Sequence, residues 1–443
     1  MPVATVPFRG ARSTSDVLTW GQRAIWTAIG RTRPSDAYFN FARTVDVRHT
    51  GAGLDAVLAA VALVMGRHEA LRTRVSVVDG EPFQVVSSAG ELPVDVVTEA
   101  PERLTERYLA AAFDYEHEWP LRVGVVVEDG RPAYVVVCFC HLATDFGGSV
   151  FVLRDLRAAV EGAELPEPAA RQPVDLAAFQ RSPAGRRMAR AAANYWRRAY
   201  DRIPTSMFEH RAATHENPRY QRAFLLSPAL AVAATAVGDR LGTGSSAVLN
   251  AAFAAVIGSL TGHDTCAMLA ITQNRFGERT RDMVATLALE GLLVVSLADA
   301  VSFDDMVRRA WRAAVPAHRY AQYDERDRDR IVRETSERRG AFVHPYCCVN
   351  DLREAELPPI TGGAAPRDLL GESTLAWLPP LDHVSCRFCL HVGGAENTLG
   401  IRLTADTAYV PKTDMTAFLT GVERLVVAAV DGPVDLPAGS ITA

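Results

Sequence analysis

The chain has 443 residues, enough for two or three ordinary domains with a sizeable core. It is 48% hydrophobic and 22% charged, as soluble globular chains are, and its net charge of −5 excludes a global positive field for nucleic acid or anionic membrane. Lysine occurs once, at Lys412, so Schiff-base chemistry and a P-loop lysine have almost no place to sit.

The N-terminal stretch MPVATVPFRGARSTSD lacks the apolar run of a signal peptide, and AVLNAAFAAVIG is too short to span a bilayer. Seven cysteines, an odd number spread over a long chain, read as reduced thiols in the cytoplasm. In LDAVLAAVALVM the spacing predicts a helix with Leu54, Leu58, Val61 and Met65 on one face. RLTERYLAAAF predicts a second amphipathic helix. AYVVVCFCHL is a continuous apolar run rich in β-branched residues, which suits a buried strand. GGSVFVLRDLRAAV predicts a helix with Gly147 and Gly148 just before it, so Cys140 to Asp145 fall at a strand end and in the following loop.

Residues 161–173, EGAELPEPAARQP, read as a linker, and SPAGRRMARAAANYWRRAY as an arginine-rich helix. SSAVLNAAFAAVIGSL places Leu249, Phe253, Val256 and Leu260 at helical spacing, with Ser245 or Ser246 as N-cap. TCAMLAITQ predicts a strand, RFCLHVGG with LGIRLTAD an antiparallel hairpin, and MTAFLTGVERLVVAAV a closing helix. The chain thus divides into two α/β halves near residue 170. Cys386 and Cys389 have CxxC spacing, but in a strand pattern residues three apart face opposite sides. No second CxxC accompanies them, so no metal is expected. No P-loop or dinucleotide fingerprint is present.

The ordered motifs LTWGQRAIW (18–26), GRHEALRTRV (66–75), FDYEHEWPLRVGVV, PVDLAAFQ, YWRRAY and LTGHDTCAMLAITQNR resemble those of the condensation domains of nonribosomal peptide synthetases, in the chloramphenicol-acetyltransferase-like superfamily. The resemblance covers most of the chain. It implies a layered α/β fold of two acetyltransferase-like lobes, residues 1–170 and 171–443, forming a V with an active-site tunnel between them. It also implies an acyl carrier protein as partner, which delivers substrate on its phosphopantetheine. No intrinsic cofactor, nucleic acid or membrane partner is expected.

The family motif His-His-x-x-x-Asp-Gly reads here Cys140-His141-Leu142-Ala143-Thr144-Asp145-Phe146. Amide formation requires an amine to lose a proton and an oxyanion to be stabilised, and an imidazole titrates in the right range. His141 is the catalytic candidate, either as general base or as the group that positions the amine. The resemblance makes Asp145 a structural residue paired with Arg275. Cys140 is either a small filler in place of the first histidine or a thiolate nucleophile beside the imidazole. Phe146 replaces the glycine; it either narrows the tunnel or leaves the turn to Gly147. The stretch MVATLALEGLLVV lacks the asparagine of a later family motif.

The expected function is a freestanding condensation enzyme acting on an amine or hydroxyl acceptor, such as an amino sugar. The alternatives are an inactive condensation-like domain that recruits tailoring enzymes, and a coenzyme-A-dependent acyltransferase.

Overall fold

In the computed structural model, residues 3–166, 171–210, 215–353, 364–382, 384, 386–395 and 397–436 are described. The chain forms two compact units. The first holds Met1–Met188 and Gln273–Leu289, and the second holds Ala189–Thr272 and Glu290–Ala443. The proline-rich stretch at 161–173 therefore lies inside the first unit, which also takes back a segment from beyond residue 270. Residues 167–170 of that stretch lie outside the described residues.

The first unit is built on a five-stranded sheet in the spatial order Val3–Arg9, Ala89–Val97, Leu121–Glu128, Arg131–Phe139, Phe41–Asp46. Only the Ala89–Val97 and Leu121–Glu128 pair is parallel. The Arg131–Phe139 strand lies between two antiparallel neighbours, and alternation along it decides which residues meet which helices. Val135, Val137 and Phe139 join a core with Val57, Val61 and Met65 of the Leu54–Arg67 helix and Val152 and Leu156 of the Phe146–Val160 helix. Val136, Cys138 and Cys140 join a second core with Ile29, Leu104 and Tyr108, from the Trp20–Thr32 and Pro101–Ala110 helices. Covering both faces explains why this strand shows no polar alternation. Val135, Val136 and Val137 are essentially inaccessible, and such burial stabilises by about 1.5–3 kcal/mol per side chain.

The buried stripe of the Leu54–Arg67 helix is centred on Val57, Val61, Val64 and Met65, while Leu54 and Leu58 only flank it. The RHE motif ties this helix to its neighbours. His68 Nε2 lies 2.9 Å and Arg67 Nε 2.7 Å from Asp155 Oδ2. Burial raises the Asp155 carboxyl, but the bonds from His68, Arg154 and Arg67 outweigh it and hold the group at about 2.

The second unit carries a seven-stranded sheet in the order Leu289–Ser296, Thr265–Thr272, Cys347–Asp351, Phe388–Ala395, Thr398–Asp406, Tyr220–Ser227, Thr374–Leu381. The expected hairpin forms, with Phe388 opposite Ala405 and Ala395 opposite Thr398. The Ser245–Thr261 helix is buried almost all round between Ala247 and Gly258. Its N-cap is Gly244 rather than a serine. The two serine hydroxyls are used elsewhere: Ser245 Oγ accepts from Arg353 at 2.9 Å and Ser246 Oγ donates to Asp351 at 2.8 Å. No single helix among the described residues is long and apolar enough to cross a membrane.

Candidate active site

The strand carrying the motif ends at Phe139. Cys140 N–H still donates to Pro120 O at 2.9 Å, and Ala143 N–H closes a turn onto Cys140 O at 3.0 Å. The chain then extends through Asp145, whose ψ is 179°, and enters the Phe146–Val160 helix. Asp145 is the N-cap, with Oδ1 accepting from Gly148 N–H at 2.8 Å. A carboxylate there satisfies an orphan donor and complements the helix dipole. The helix thus includes Gly147 and Gly148 instead of starting after them.

Asp145 and Arg275 come together within the first unit. Arg275 donates from Nη2 to Oδ1 at 2.7 Å and from Nη1 to Oδ2 at 3.0 Å, with both side chains nearly inaccessible. Leu287 N–H and Ala288 N–H also donate to Oδ2, at 2.9 and 2.8 Å. Five donors therefore surround one carboxylate. Arg275 in turn donates to the carbonyls of Gln273, Met283 and Ala285. The 273–289 segment is laced to the motif turn through this one ion pair and its flanking backbone. Thr286 adds to it by donating its hydroxyl to the His141 carbonyl.

His141 stands in the turn, with its ring edge-on to Phe41 at a centroid distance of 5.8 Å. Its Nδ1 is buried and has no hydrogen-bond partner among the described residues. Burial pushes the imidazole below its usual pKa, partly offset by the charge of Asp145. The ring is thus neutral at pH 7.

Cys140 does not join this group. Its side chain points into the apolar cluster of Leu18, Leu104 and Leu142 on the other face of the sheet. Burial pushes the thiol up to about 12, the direction opposite to that of an activated thiolate. The Phe146 ring lies 6.5 Å from Phe41, the ring that also meets His141, and 4.4 Å from the Arg43 guanidinium. The glycines pack against Arg275. A Cβ on Gly148 would collide with Thr144 Oγ1 and stand 2.8 Å from Arg275 Nη2; one on Gly147 would stand 3.1 Å from Arg275 Nη1.

Sequence reasoning missed Phe41, Arg43 and the Thr286–Ala288 segment. The only signal was MVATLALEG, noted above for a missing asparagine; its contribution here is chiefly backbone N–H groups, which no residue type marks.

The condensation-domain family model matches residues 18–344. The phosphinothricin tripeptide synthetase PhsB of Streptomyces viridochromogenes is 27% identical over 339 residues, 71% of this chain and 28% of that protein. The chain spans less than a third of the length of each of the curated relatives named by the comparison. Among solved structures, the condensation domain of the Monacolin K polyketide synthase MokA superposes with a TM-score of 0.72 at 14% identity, covering 96% of this chain and 99% of that one. The X-domain of teicoplanin biosynthesis, solved in complex with OxyB, superposes with a TM-score of 0.69 at 18% identity, covering 98% and 97%. These structural likenesses establish the chloramphenicol-acetyltransferase-like fold. With the family model running from the opening motif through the motif turn and the Arg275 segment, the chain belongs to the condensation-domain family of nonribosomal peptide synthetases.

Proposed function

We propose that this protein transfers an aminoacyl or acyl group from the phosphopantetheine thioester of a carrier protein to an amine or hydroxyl acceptor, and that His141 handles the acceptor's proton. One observation carries the reading. Of the three titratable motif side chains, Asp145 has its acceptor sites filled by five donors and Cys140 is a protonated thiol in an apolar cluster. His141 alone is a neutral base, and its Nδ1 has no hydrogen-bond partner among the described residues. A neutral imidazole can accept the amine proton as the carbonyl is attacked and return it to the departing thiolate. Cys140 then serves as filler for the first histidine of the family motif. The acceptor is either carrier-bound or a small soluble molecule such as an amino sugar. Seven free cysteines agree with a reducing, cytoplasmic setting.

The test is turnover with an aminoacyl-loaded carrier protein and an added amine. His141→Ala is expected to lose about 10²–10⁴-fold while keeping its circular dichroism, and Cys140→Ala to keep its rate. Unchanged turnover in His141→Ala overturns the assignment.

A recruiting role is the second reading. Cysteine and phenylalanine at two motif positions favour it, as does the fold shared with an X-domain seen bound to OxyB. No turnover with any loaded carrier, together with tight binding of an oxygenase, would replace the first reading with this one.

A further inference from the structure

Three thiols of the second unit have no part in the chemistry above. The Cys347–Asp351 and Phe388–Ala395 strands run parallel, with Cys348 opposite Cys389. Residues opposite one another present their side chains to the same face of a sheet. Cys347 and Phe388, one step earlier, point to the other face and are fully buried. The alternation that would turn Cys386 away from Cys389 does not apply, because the strand begins only at Phe388. Cys386 lies in the bend before it, with Sγ 3.1 Å from the Phe388 carbonyl oxygen and 3.4 Å from that of Tyr346. The bend folds its sulfur back, and the sulfurs of Cys348, Cys386 and Cys389 all lie within 4.8 Å of one another.

We propose that Cys348, Cys386 and Cys389 form a three-sulfur binding site for a thiophilic divalent cation of the zinc class. Two sulfurs on one tetrahedral ion, each at about 2.3 Å, stand ~3.8 Å apart, so this triangle closes onto an ion by side-chain movements of about 1 Å. Sulfur ligands select such ions over magnesium and calcium. Cys386 is buried against Tyr220 and Val384, which shields one side of the triangle. Cys348 and Cys389 are partly exposed and supply the entry path that a metal site needs. Among the described residues no histidine or carboxylate completes the set at that distance. The fourth position is therefore left to water or an added ligand.

Zinc ion alone, added to the reduced full-length protein and followed by desalting and metal analysis, is expected to remain at one ion per chain. Cadmium in its place should show sulfur-to-metal charge-transfer absorption. Cys348→Ser and Cys389→Ser should each weaken binding at least about tenfold, since even second-shell changes cost 10- to 100-fold. Cys347→Ala, on the opposite face, should keep the ion. The unmodified protein gives a readout that folding of a variant cannot confuse: zinc should block alkylation of Cys348 and Cys389, and a chelator should restore it. Alkylation indifferent to zinc, unchanged cadmium absorption in Cys386→Ala, or a disulfide between two of the three thiols in protein purified without reductant would each overturn the site.

Discussion

Asp145 is a carboxylate whose acceptor sites are all occupied by Arg275 and three backbone N–H groups. Removing it leaves a buried guanidinium uncompensated, so Asp145→Ala is expected to lower unfolding free energy by about 3–5 kcal/mol in a denaturant titration. Arg275→Lys should fall between, because an ammonium cannot reproduce the two-pronged contact. Its neighbour His141 behaves oppositely: burial disfavours its charged form. The folded pKa lies below the ordinary value of about 6.5, so the neutral base persists as pH falls through 6.5 and is lost only below it. The acid limb of kcat should therefore lie below pH ~6.5 when turnover is followed across pH; a limb above it contradicts the burial argument. The ion pair itself was readable only through the family resemblance, since Asp145 and Arg275 stand 130 positions apart. The N–H groups of Leu287 and Ala288 were not, because backbone donors carry no residue signature. Nor was the direction of Cys140, since one step along a strand reverses the face and the sequence does not say which face holds the histidine.

At the scale of elements, the Phe146–Val160 helix shows why its start was misplaced. Glycine is a poor helix former, which argues for putting Gly147 and Gly148 outside. Their place in the first turn is set instead by how closely Arg275 approaches. Gly148→Ala is expected to cost about 1–3 kcal/mol by overpacking against Thr144 and Arg275 and to lower activity with it. Gly147→Ala meets nothing closer than 3.1 Å, and the gain in helix propensity of up to ~1 kcal/mol should offset most of its cost. Thermal melts of the two variants separate close approach from propensity. The long periodic helices and the apolar Arg131–Phe139 strand were legible because both faces of that strand are covered. The bend at Cys386 was not, because the apolar pattern extends past the true strand end and hides the change of direction.

At the scale of the whole molecule, the chain leaves the first unit at Met188, returns for Gln273–Leu289, and leaves again. No composition shift announces that return: ITQNRF and MVATLALEG read as ordinary parts of the second half, and the boundary placed near residue 170 followed the only visible change. A chain truncated after Met188 should keep both cores of the five-stranded sheet apart from Val284, yet lack the Arg275, Leu287 and Ala288 donors to Asp145. It is expected to melt well below the intact protein and to gain stability when a peptide of residues 273–289 is added. No stabilisation by the peptide would show that the segment is dispensable to the first unit.

That return also sets a clock for synthesis on the ribosome. An N-terminal unit ordinarily closes as soon as its own residues have emerged, but here about 100 further residues must be made before Arg275 and the Leu287 and Ala288 amides exist. At 5–20 residues per second this is a delay of roughly 5–20 s, during which the nascent first unit holds its motif turn with Asp145 unpaired. The motif turn is thus among the last parts of the first unit to lock, and a translational pause before residue 289 would prolong exposure of that half-built turn to chaperones.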